Sequence, residues 1–404
     1  MTKRVLLLTQ WFDPEPTFKG QVFARELKRQ GFDVEVLTGF PNYPGGKVYP
    51  GYKIKWLQRE IVDGVHITRV ALYPNHDQSA IKRVLNYASF AASALFYGLF
   101  MAKRADVIYA YQPPLTVGLS AAFMRFFRGI PVVLDIQDMW PDTLRATGMV
   151  KNPKTLNRVA AVCSWVYRHV DRVVVLSPGF KRLLVERGVL SEKLEVIYNW
   201  ADEKALETPS GQLPSAFPGS DKFRIVFAGN MGKAQALDAV LDAATVLQTR
   251  ASQVCFVMIG GGVEVDRLKA RATELKLNNI VFVPPVPMAE VGTLLHAADV
   301  LLVHLRKDPL FQITIPSKTQ AYMAVGKPLL MAVDGDAADL VLQSGGGLVA
   351  ESENSESLVL AIEALQQLSN DERQAMGARA QSFYRDYLSL PVGVGKFARI
   401  FNDI

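Results

Sequence analysis

The chain alternates short apolar runs with segments of helical length, in two successive rounds. The first round has β-rich runs at residues 5–9, 33–38, 66–70, 107–111, 132–136, 172–176 and 194–197, and the second has them at 224–229, 254–259, 280–283, 300–303, 329–333 and 347–350. This order is typical of parallel sheets joined by helical crossovers. We therefore predict an α/β fold with two Rossmann-like parallel-sheet domains that face each other across a cleft, where ligands bind at the carboxyl ends of the strands.

A polar stretch at residues 208–220 separates the two rounds. We place the first domain at residues 1–203 and the second at 204–387, and we expect a terminal helix at 388–404 to pack back on the first domain. With 404 residues, 49% of them hydrophobic, the chain has ample material for two cores. The apolar run after Lys3 and Arg4 is too short for a secretory signal, and only two cysteines, Cys163 and Cys255, are present, which favours a reducing cytoplasm.

The positive charge is concentrated in the first half. Residues 1–200 hold 27 Lys and Arg against 16 Asp and Glu, whereas residues 201–404 hold 18 against 23. A basic half suits a nucleic acid, an anionic membrane surface or a pyrophosphate substrate, and charge alone does not choose among them. Because no nucleic-acid-binding motif is present, we expect no nucleic-acid partner.

Three segments of the second half have the chemistry of phosphate binding. Gly260, Gly261 and Gly262 follow a predicted strand, where they let the backbone approach a ligand, although a plain turn uses the same residues. In the segment 315–318, Pro316 suits a first helical turn and Ser317 is predicted to cap it.

The free N–H groups of that helix start and the Lys318 side chain can then cradle a pyrophosphate, while an ordinary helix start remains the alternative. In the third segment, 227–233, Lys233 on a glycine-punctuated loop can neutralise a leaving diphosphate. Its alternative is a solvated lysine on a loop.

The first half offers polar groups at one strand end and a long aromatic loop at another. Residues 135–142 follow a predicted strand and contain carboxylates beside Trp140, a combination that fits carbohydrate recognition. No His or Cys lies nearby, so we expect no metal site there. The loop at 11–20 follows the first strand and is predicted to be an acceptor-binding lid or, alternatively, a Pro-rich connector.

Residues 84–102 form an uncharged segment bracketed by basic pairs. It holds 19 residues, 15 of them hydrophobic, and by length it just suffices to cross a bilayer. Crossing would place neighbouring strands of one sheet on opposite sides of the membrane. We therefore predict a helix that is partly packed and partly interfacial, with a wholly buried crossover helix as the alternative. Its predicted apolar or interfacial contacts are Tyr87, Phe90, Phe96, Tyr97 and Phe100.

Taken together, five motifs resemble the family 4 glycosyltransferases of the GT-B fold. They are Tyr43-Pro44, residues 137–142, 229–235, 284–287 and 315–318. The resemblance is closest to the WbuB-like subgroup, which builds bacterial surface polysaccharides such as lipopolysaccharide O-antigen, capsule or exopolysaccharide. It implies the retaining, metal-independent transfer of a hexosyl or N-acetylhexosaminyl group from a UDP-sugar to a polyprenyl-diphosphate-linked saccharide. No cofactor beyond the nucleotide-sugar co-substrate is implied.

The same resemblance implies a location and a set of site residues. The enzyme is expected to be peripheral, or monotopic, at the cytoplasmic face of the bacterial inner membrane, with a soluble cytoplasmic protein as the alternative. The first domain takes the acceptor and the second binds the donor. The implied catalytic residues are Asp138, Gln137 and Lys233; the implied donor-binding residues are Gly20, Gly229, Asn230, Lys233, Gly260, Gly261, Pro285, Val286, Ile315, Pro316, Ser317 and Lys318; and the acceptor or membrane contacts are Trp140 and the five aromatic residues of 84–102.

Two departures from the family pattern concern the donor site. The carboxylates of the common E-x7-E signature are replaced by Ile313 and Ala321, so the ribose has no assigned partner. Asn230 stands where the phosphate loop usually has Arg, which leaves Lys233 as the main cation there. A GT-B nucleotide-sugar epimerase and a non-catalytic membrane-surface scaffold with a degenerate nucleotide site are therefore the alternative functions.

Overall fold

The computed structural model describes residues 2–75, 80–206, 212–250 and 252–404. The chain divides into two compact units, Met1–Tyr198 with Leu390–Ile404, and Asn199–Ser389. The boundary between Tyr198 and Asn199 comes before the polar stretch at 208–220 that separates the two rounds of strands in the sequence. Residues 208–211 of that stretch lie outside the described residues.

The first unit is built on one sheet whose strands alternate with helices. Its elements are β1 (Arg4–Thr9), α1 (Gln21–Arg29), β2 (Asp33–Gly39), β3 (Leu57–Val62), β4 (Val65–Val70), α2 (Ala80–Phe100), β5 (Val107–Gln112), α3 (Leu115–Arg128), β6 (Val132–Ile136), α4 (Asp142–Ala146), α5 (Pro153–Arg168), β7 (Arg172–Val175), α6 (Pro178–Glu186) and β8 (Leu194–Val196). In the described part of the chain the strand order is β3-β4-β2-β1-β5-β6-β7-β8. Every pairing is parallel except that of β3 with β4.

The antiparallel strand β3 is missing from the predicted strands. It pairs with β4 across a two-residue hairpin in which Asp63 and Gly64 have φ angles of 47° and 76°. An Asp-Gly pair between two β-rich runs is a strong hairpin signal, because both residues of this turn need a positive φ. The signal was therefore present in the sequence, and β3 adds an antiparallel edge strand to an otherwise parallel sheet.

The second unit repeats the plan with a smaller sheet. The helix α7 (Glu203–Leu206) precedes β9 (Phe223–Ala228), α8 (Asp238–Thr249), β10 (Val254–Ile259), α9 (Val265–Glu274), β11 (Ile280–Val283), α10 (Met288–His296), β12 (Val300–His304), α11 (Pro309–Gln312), α12 (Ser317–Val325), β13 (Leu329–Ala332), α13 (Asp336–Ser344), β14 (Gly347–Ala350), α14 (Ser355–Gln367) and α15 (Asn370–Phe383). Its described strands run parallel in the order β11-β10-β9-β12-β13-β14.

The last helix, α16 (Leu390–Asp403), belongs to the first unit. Its Phe397 and Phe401 are fully buried and lie 5.3 and 5.8 Å, centroid to centroid, from the ring of Tyr109 on β5. The ammonium group of Lys3 donates hydrogen bonds to the carbonyl oxygens of Phe401 and Ile404. These contacts hold the end of the chain against the sheet of the first unit.

Candidate functional site

In the second unit, the loops that follow three adjacent strands touch through their backbones. The N–H of Gly229 donates to Ile259 O at 2.8 Å, and the N–H of Gly260 donates to Val283 O at 3.0 Å. Gly260 has a φ of +127°, and a Cβ at this position would collide with the carbonyl oxygen of Gly229. Only glycine satisfies both conditions, so the carboxyl ends of β9, β10 and β11 form one continuous backbone surface.

Lys318, in the first turn of α12, lies against this surface. Its ammonium nitrogen is 3.6 Å from the ring centroid of Phe227, and a Cβ on Gly229 would lie 2.5 Å from its Cε. Burial lowers the pKa of Lys318 to about 7. Among the described residues it forms an ion pair with no carboxylate, so its positive charge is available to an anionic ligand.

The start of α12 differs from the prediction in one respect. Pro316 is the N-cap residue, Ser317 is the first residue of the helix, and no side chain caps the helix by a hydrogen bond. The predicted cap by Ser317 is therefore wrong, because the helix begins one residue earlier than a Ser317 cap requires. An uncapped helix start leaves its first N–H groups for a ligand. Ile315, which precedes this helix start, is a buried residue.

Lys233 lies on a short turn, Lys233–Gln235, whose carbonyl groups accept two hydrogen bonds from the segment at the end of β12. Nδ1 of His304 donates to the carbonyl oxygen of Gln235 at 2.7 Å, and the N–H of Arg306 donates to Ala234 O at 2.9 Å. Lys233 and the neighbouring Asn230 are themselves exposed. The turn is thus fixed while the side chain of Lys233 is exposed. Sequence reasoning missed His304 and Arg306 because they lie at the end of a strand that is distant in the chain.

The loop of Pro285 and Val286, which the family resemblance implies to be donor-binding, adjoins the glycine surface. A Cβ on Gly261 would lie 3.2 Å from Cγ of Pro285. Pro285 is exposed and Val286 is partly buried. The structure therefore brings Gly229, Gly260, Gly261, Pro285 and Lys318 together.

In the first unit, a buried carboxylate lies where β6 ends. Tyr109 donates a hydrogen bond to Asp135 Oδ2 at 2.6 Å, and Nε2 of Gln137 donates to Asp135 Oδ1 at 2.7 Å. Lys19, from the loop after β1, is fully buried near Asp135, and its ammonium nitrogen lies 5.5 Å from the ring centroid of Phe397. Burial lowers the pKa of Lys19 to about 8, although the charge of Asp135 favours its protonated form.

A second carboxylate, Asp138, lies among aromatic side chains. Burial raises the pKa of Asp138, and it also raises the pKa values of Tyr43 and Tyr87, which the negative charge of Asp138 raises further. Trp11 stacks on Tyr43 with ring centroids 4.5 Å apart. The side chain of Trp140 is partly buried, and the backbone N–H of Trp140 donates to the carbonyl oxygen of Asp138. This arrangement of aromatic rings around a carboxylate suits a sugar ring and its hydroxyl groups.

Glu15 joins the loop after β1 to the loop after β2. Its buried carboxylate accepts hydrogen bonds from the N–H groups of Phe12, Asn42 and Tyr43. The Trp11–Tyr43 stack is therefore supported by backbone hydrogen bonds on both loops. The sequence analysis singled out both segments but gave no role to Glu15, because nothing local shows that the two loops meet.

Gly20 opens α1, but a carboxylate of the same chain already lies there. Asp13 Oδ2 accepts the N–H of Gln21 at 2.7 Å, and a Cβ on Gly20 would collide with Asp13. An anion at this helix start would have to displace Asp13. The contact of Gly20 with donor phosphates stays a prediction.

The predicted interfacial segment forms α2, and two of its aromatic residues face inward. Phe90 is 0% exposed and Tyr97 is 3% exposed, so both are core residues rather than interfacial ones. Tyr97 also donates a hydrogen bond to Glu35 Oε1. Phe96 and Phe100 are 45% and 73% exposed, and Tyr87 is the partly buried neighbour of Asp138.

The described residues include neither a helix that could cross a membrane nor a cluster of metal-ligating side chains. Over residues 2–75, 80–206, 212–250 and 252–404, no helix combines the length and the hydropathy that crossing a bilayer requires. In the same ranges, no group of three or more His, Cys, Asp or Glu side chains is arranged to hold a metal ion.

Comparison with known proteins shows the same two units. The glycosyl transferase 4-like domain matches residues 21–200, and the glycosyl transferases group 1 domain matches residues 214–383. The putative colanic acid biosynthesis glycosyl transferase WcaI of Escherichia coli is 28% identical over 330 residues, covering 78% of this chain and 79% of WcaI. The probable glycosyltransferase WbjE of Pseudomonas aeruginosa is 26% identical over 306 residues, 74% of each chain.

Solved structures show the same fold. The Anabaena HepE protein in complex with UDP has a TM-score of 0.68 at 16% identity, with all of both chains covered. The sucrose-phosphate synthase of Thermosynechococcus elongatus has a TM-score of 0.73 at 13% identity, covering 99% of this chain and 98% of the synthase.

The chain belongs to the family 4 glycosyltransferases of the GT-B fold. The family and the fold class expected from the motifs are thereby confirmed, and membership of the WbuB-like subgroup stays a prediction.

The contact between Gly229 and Gly260 predicts that two neighbouring glycines differ in their tolerance of a side chain. We expect Gly260→Ala to lower the free energy of unfolding of the second unit by about 2 kcal/mol or more, because it adds backbone strain to a collision with main-chain atoms. We expect Gly261→Ala to change it by less than about 1 kcal/mol, since it meets only the edge of a proline ring. Urea denaturation of the two variants measures the difference, and equal losses would contradict the backbone contact.

Proposed function

We propose that this glycosyltransferase transfers an N-acetylated hexose from UDP to a polyprenyl-diphosphate-linked saccharide, with retention of configuration and without a metal ion. The second unit binds the donor and the first unit binds the acceptor. The observation that carries the proposal is Lys318, a half-buried cation beside Gly229 at the start of α12, for which the described part of the chain provides no carboxylate partner.

The comparisons support the donor and the pathway. WcaI is named for colanic acid biosynthesis, and HepE has been crystallised with UDP and with UDP-glucose. By analogy with these proteins, and as expected for the WbuB-like subgroup, we assign the chain to the synthesis of a bacterial surface polysaccharide such as O-antigen, capsule or exopolysaccharide.

The chemistry needs positive charge where the sugar–phosphate bond breaks. In a front-face retaining transfer, the departing phosphate takes the proton of the acceptor hydroxyl, and the enzyme stabilises the negative charge that develops on the diphosphate. Lys318 and the first N–H groups of α12 supply that charge in our proposal, and the exposed Lys233 adds a second positive charge to the diphosphate. Pro285 and Val286 lie beside the base.

The first unit supplies groups for the sugars. Gln137 and Asp138 contact the transferred sugar or the attacking hydroxyl in this proposal, while Trp11, Tyr43 and Tyr87 line the acceptor position. Fixing both reactants accounts for much of the rate when little acid–base machinery is needed.

We also propose that α2 docks the enzyme on the cytoplasmic face of the inner membrane. A stripe of exposed apolar side chains lies on one side of this helix: Ile81, Val84, Leu85, Phe96 and Phe100. Trp56, 58% exposed, extends the stripe and lies 5.6 Å, centroid to centroid, from Phe96. Exposed Lys103 and Arg104 follow the helix and suit anionic headgroups.

The test of the function is a transfer assay paired with nucleotide binding. We expect UDP to raise the melting temperature more than GDP or ADP, with EDTA present, and sugar to pass from a UDP-N-acetylhexosamine to polyprenyl-diphosphate saccharides in membrane extracts. UDP binding with epimerisation and no transfer would favour the epimerase. No stabilisation by any nucleotide would favour the non-catalytic scaffold.

The lowered pKa of Lys318 predicts that donor binding depends on pH. Its pKa of about 7 means that the free enzyme loses the lysine charge as the pH rises above 7, and a bound diphosphate must then restore the proton. We expect the loss of the Lys318 proton to weaken UDP binding by up to about tenfold for each unit by which the pH rises between 7.5 and 9. Calorimetry in buffers of different ionisation enthalpy measures the proton uptake.

Two variants isolate this effect from the titration of UDP itself. Lys318→Met should bind UDP more weakly at pH 6.5 and should show no proton uptake at pH 8.5. Lys233→Ala keeps Lys318 and should retain that uptake. If Lys318→Met takes up protons as the wild type does, Lys318 is not the group that titrates.

The stripe on α2 predicts binding to vesicles. We expect Phe96→Ser with Phe100→Ser to lower the fraction bound to anionic vesicles at least fivefold without changing the melting temperature, because both side chains are already exposed. Leu360→Ser is the matched control, since Leu360 on α14 is 66% exposed outside the stripe. Unchanged binding, or unfolding of the double variant, would show that the stripe is not a membrane surface.

A further inference from the structure

We propose that Asn86 is a positioning residue for the acceptor. Its side chain joins α2 to the loops that follow β1, β2 and β4, and it thereby fixes the aromatic rings of Trp11, Tyr43 and Tyr87 at the acceptor position. The inference rests on the proposed function, because it concerns the same acceptor position.

The amide of Asn86 is hydrogen-bonded at both ends. Its Oδ1 accepts from Nε2 of Gln10 at 2.6 Å, and its Nδ2 donates to the carbonyl oxygen of Tyr73 at 2.7 Å and to Oδ1 of Asn42 at 3.3 Å. Gln10, Asn42 and Asn86 are 0%, 2% and 1% exposed. These three buried side chains form an amide cluster, of which Asn86 is the central member.

Main-chain carbonyl groups fix the direction of the bonds in the amide cluster. A carbonyl oxygen only accepts, so the nitrogen of Asn86 must face Tyr73, and its oxygen is left for Gln10. Asn42 is oriented in the same way, because its Nδ2 donates to the carbonyl oxygen of Phe40 at 2.9 Å. Position 86 therefore requires two donors and one acceptor, which neither an acidic nor an apolar side chain of similar shape provides.

Each member of the amide cluster is followed directly in the chain by an aromatic residue. These residues are Trp11, Tyr43 and Tyr87. Trp11 stacks on Tyr43, and the negative charge of Asp138 acts on both tyrosines. Because each ring is attached to the backbone next to a buried amide, fixing the amides fixes the points from which the three rings project.

The strand order brings the three loops together beside α2. Strands β4, β2 and β1 are parallel neighbours, so their carboxyl ends lie at the same edge of the sheet. Glu15 already joins the loops after β1 and β2, and Asn86 adds the loop after β4 and the helix itself. The same helix carries the stripe that we propose to lie on the membrane. Asn86 thus ties the acceptor position to the helix at which a lipid-linked acceptor arrives.

The packing of the core alone gives no reason for an amide at position 10. In the described part of the chain, the buried Oε1 of Gln10 has no hydrogen-bond partner. A buried acceptor without a partner costs free energy that an apolar side chain would avoid. Directional hydrogen bonds instead specify one arrangement of the parts that they join, which is what an acceptor position requires.

The test removes the central amide and follows acceptor and donor separately. In Asn86→Ala we expect the KM for the acceptor, measured by titrating a membrane extract, to rise about tenfold, the effect of one lost contact with the sugar. We expect kcat to change by less than about threefold and stabilisation by UDP to be unchanged, because acceptor binding is weakened and the chemistry is not.

Tyr97→Phe is the matched control. It removes a hydroxyl on the same helix that donates to Glu35 Oε1 at 3.1 Å, and Tyr97 is buried as Asn86 is. Because this hydrogen bond reaches β2 rather than an acceptor loop, we expect the KM for the acceptor to stay at the wild-type value.

Hydrogen exchange followed by mass spectrometry measures the loops without any transfer. We expect residues 10–15 and 40–45 to exchange faster in Asn86→Ala than in Tyr97→Phe, because these loops are no longer tied to α2. Gln10→Met removes one bond of the amide cluster with a side chain of similar shape. It should raise the KM and the exchange less, and it replaces Asn86→Ala as the test if that variant does not fold.

The outcomes separate this inference from the proposed function. An unchanged KM, loops that exchange as in the wild type, or a loss of folding in both Asn86→Ala and Gln10→Met would overturn the positioning role while the transferase stands. An equal rise of the KM in Tyr97→Phe would assign the effect to general damage of the helix. If the wild-type enzyme transfers no sugar, the proposed function fails, and hydrogen exchange still decides whether Asn86 fixes the loops.

Discussion

The backbone contact between Gly229 and Gly260 determines the shape of the surface that we propose as the donor site of the second unit. Two adjacent parallel strands end side by side, and the following loops approach until a single Cβ would force them apart. That approach leaves room for the side chain of Lys318 along Gly229 and for the Pro285 ring along Gly261. Because main-chain atoms line this surface, its shape depends on the register of the strands more than on the identity of the other side chains.

The strand ends of the first unit are lined by buried charged side chains, whereas those of the second unit are lined by closely approaching backbone. Glu15, Lys19 and Asp135 are all buried in the first unit. Glu15 accepts hydrogen bonds from the loop after β2, and Asp135 accepts one from Gln137 in the loop after β6. Apolar side chains of similar volume would have filled the core without the free-energy cost of removing charges from water. Hydrogen bonds and charges are directional, however, and direction is what a site for sugar hydroxyl groups requires.

Local sequence patterns worked best for the strands and least well where a side chain had to be given a direction. The runs at 107–111 and 254–259 are apolar throughout, so their place inside a parallel sheet follows from composition alone. The hairpin at Asp63 and Gly64 had an equally local signal but was missed. For α2 the uncharged sequence shows that the helix is apolar, and nothing in it tells Phe90 from Phe96, since the rotation of the helix depends on its contacts with β2, β4 and α3.

The sequence by itself determined the alternation of strands and helices, the glycine and proline positions of the donor loops, and the motifs that identify the family. These features are local: they depend on hydrophobic periodicity, turn chemistry and spacing along the chain. Only the tertiary structure decided that Lys19 lies buried near Asp135, that Lys318 loses water beside Phe227, and that Glu15 joins two loops. Each of these depends on contacts between residues far apart in the chain, and burial, which changes the energy of a charge, exists only once those contacts have formed.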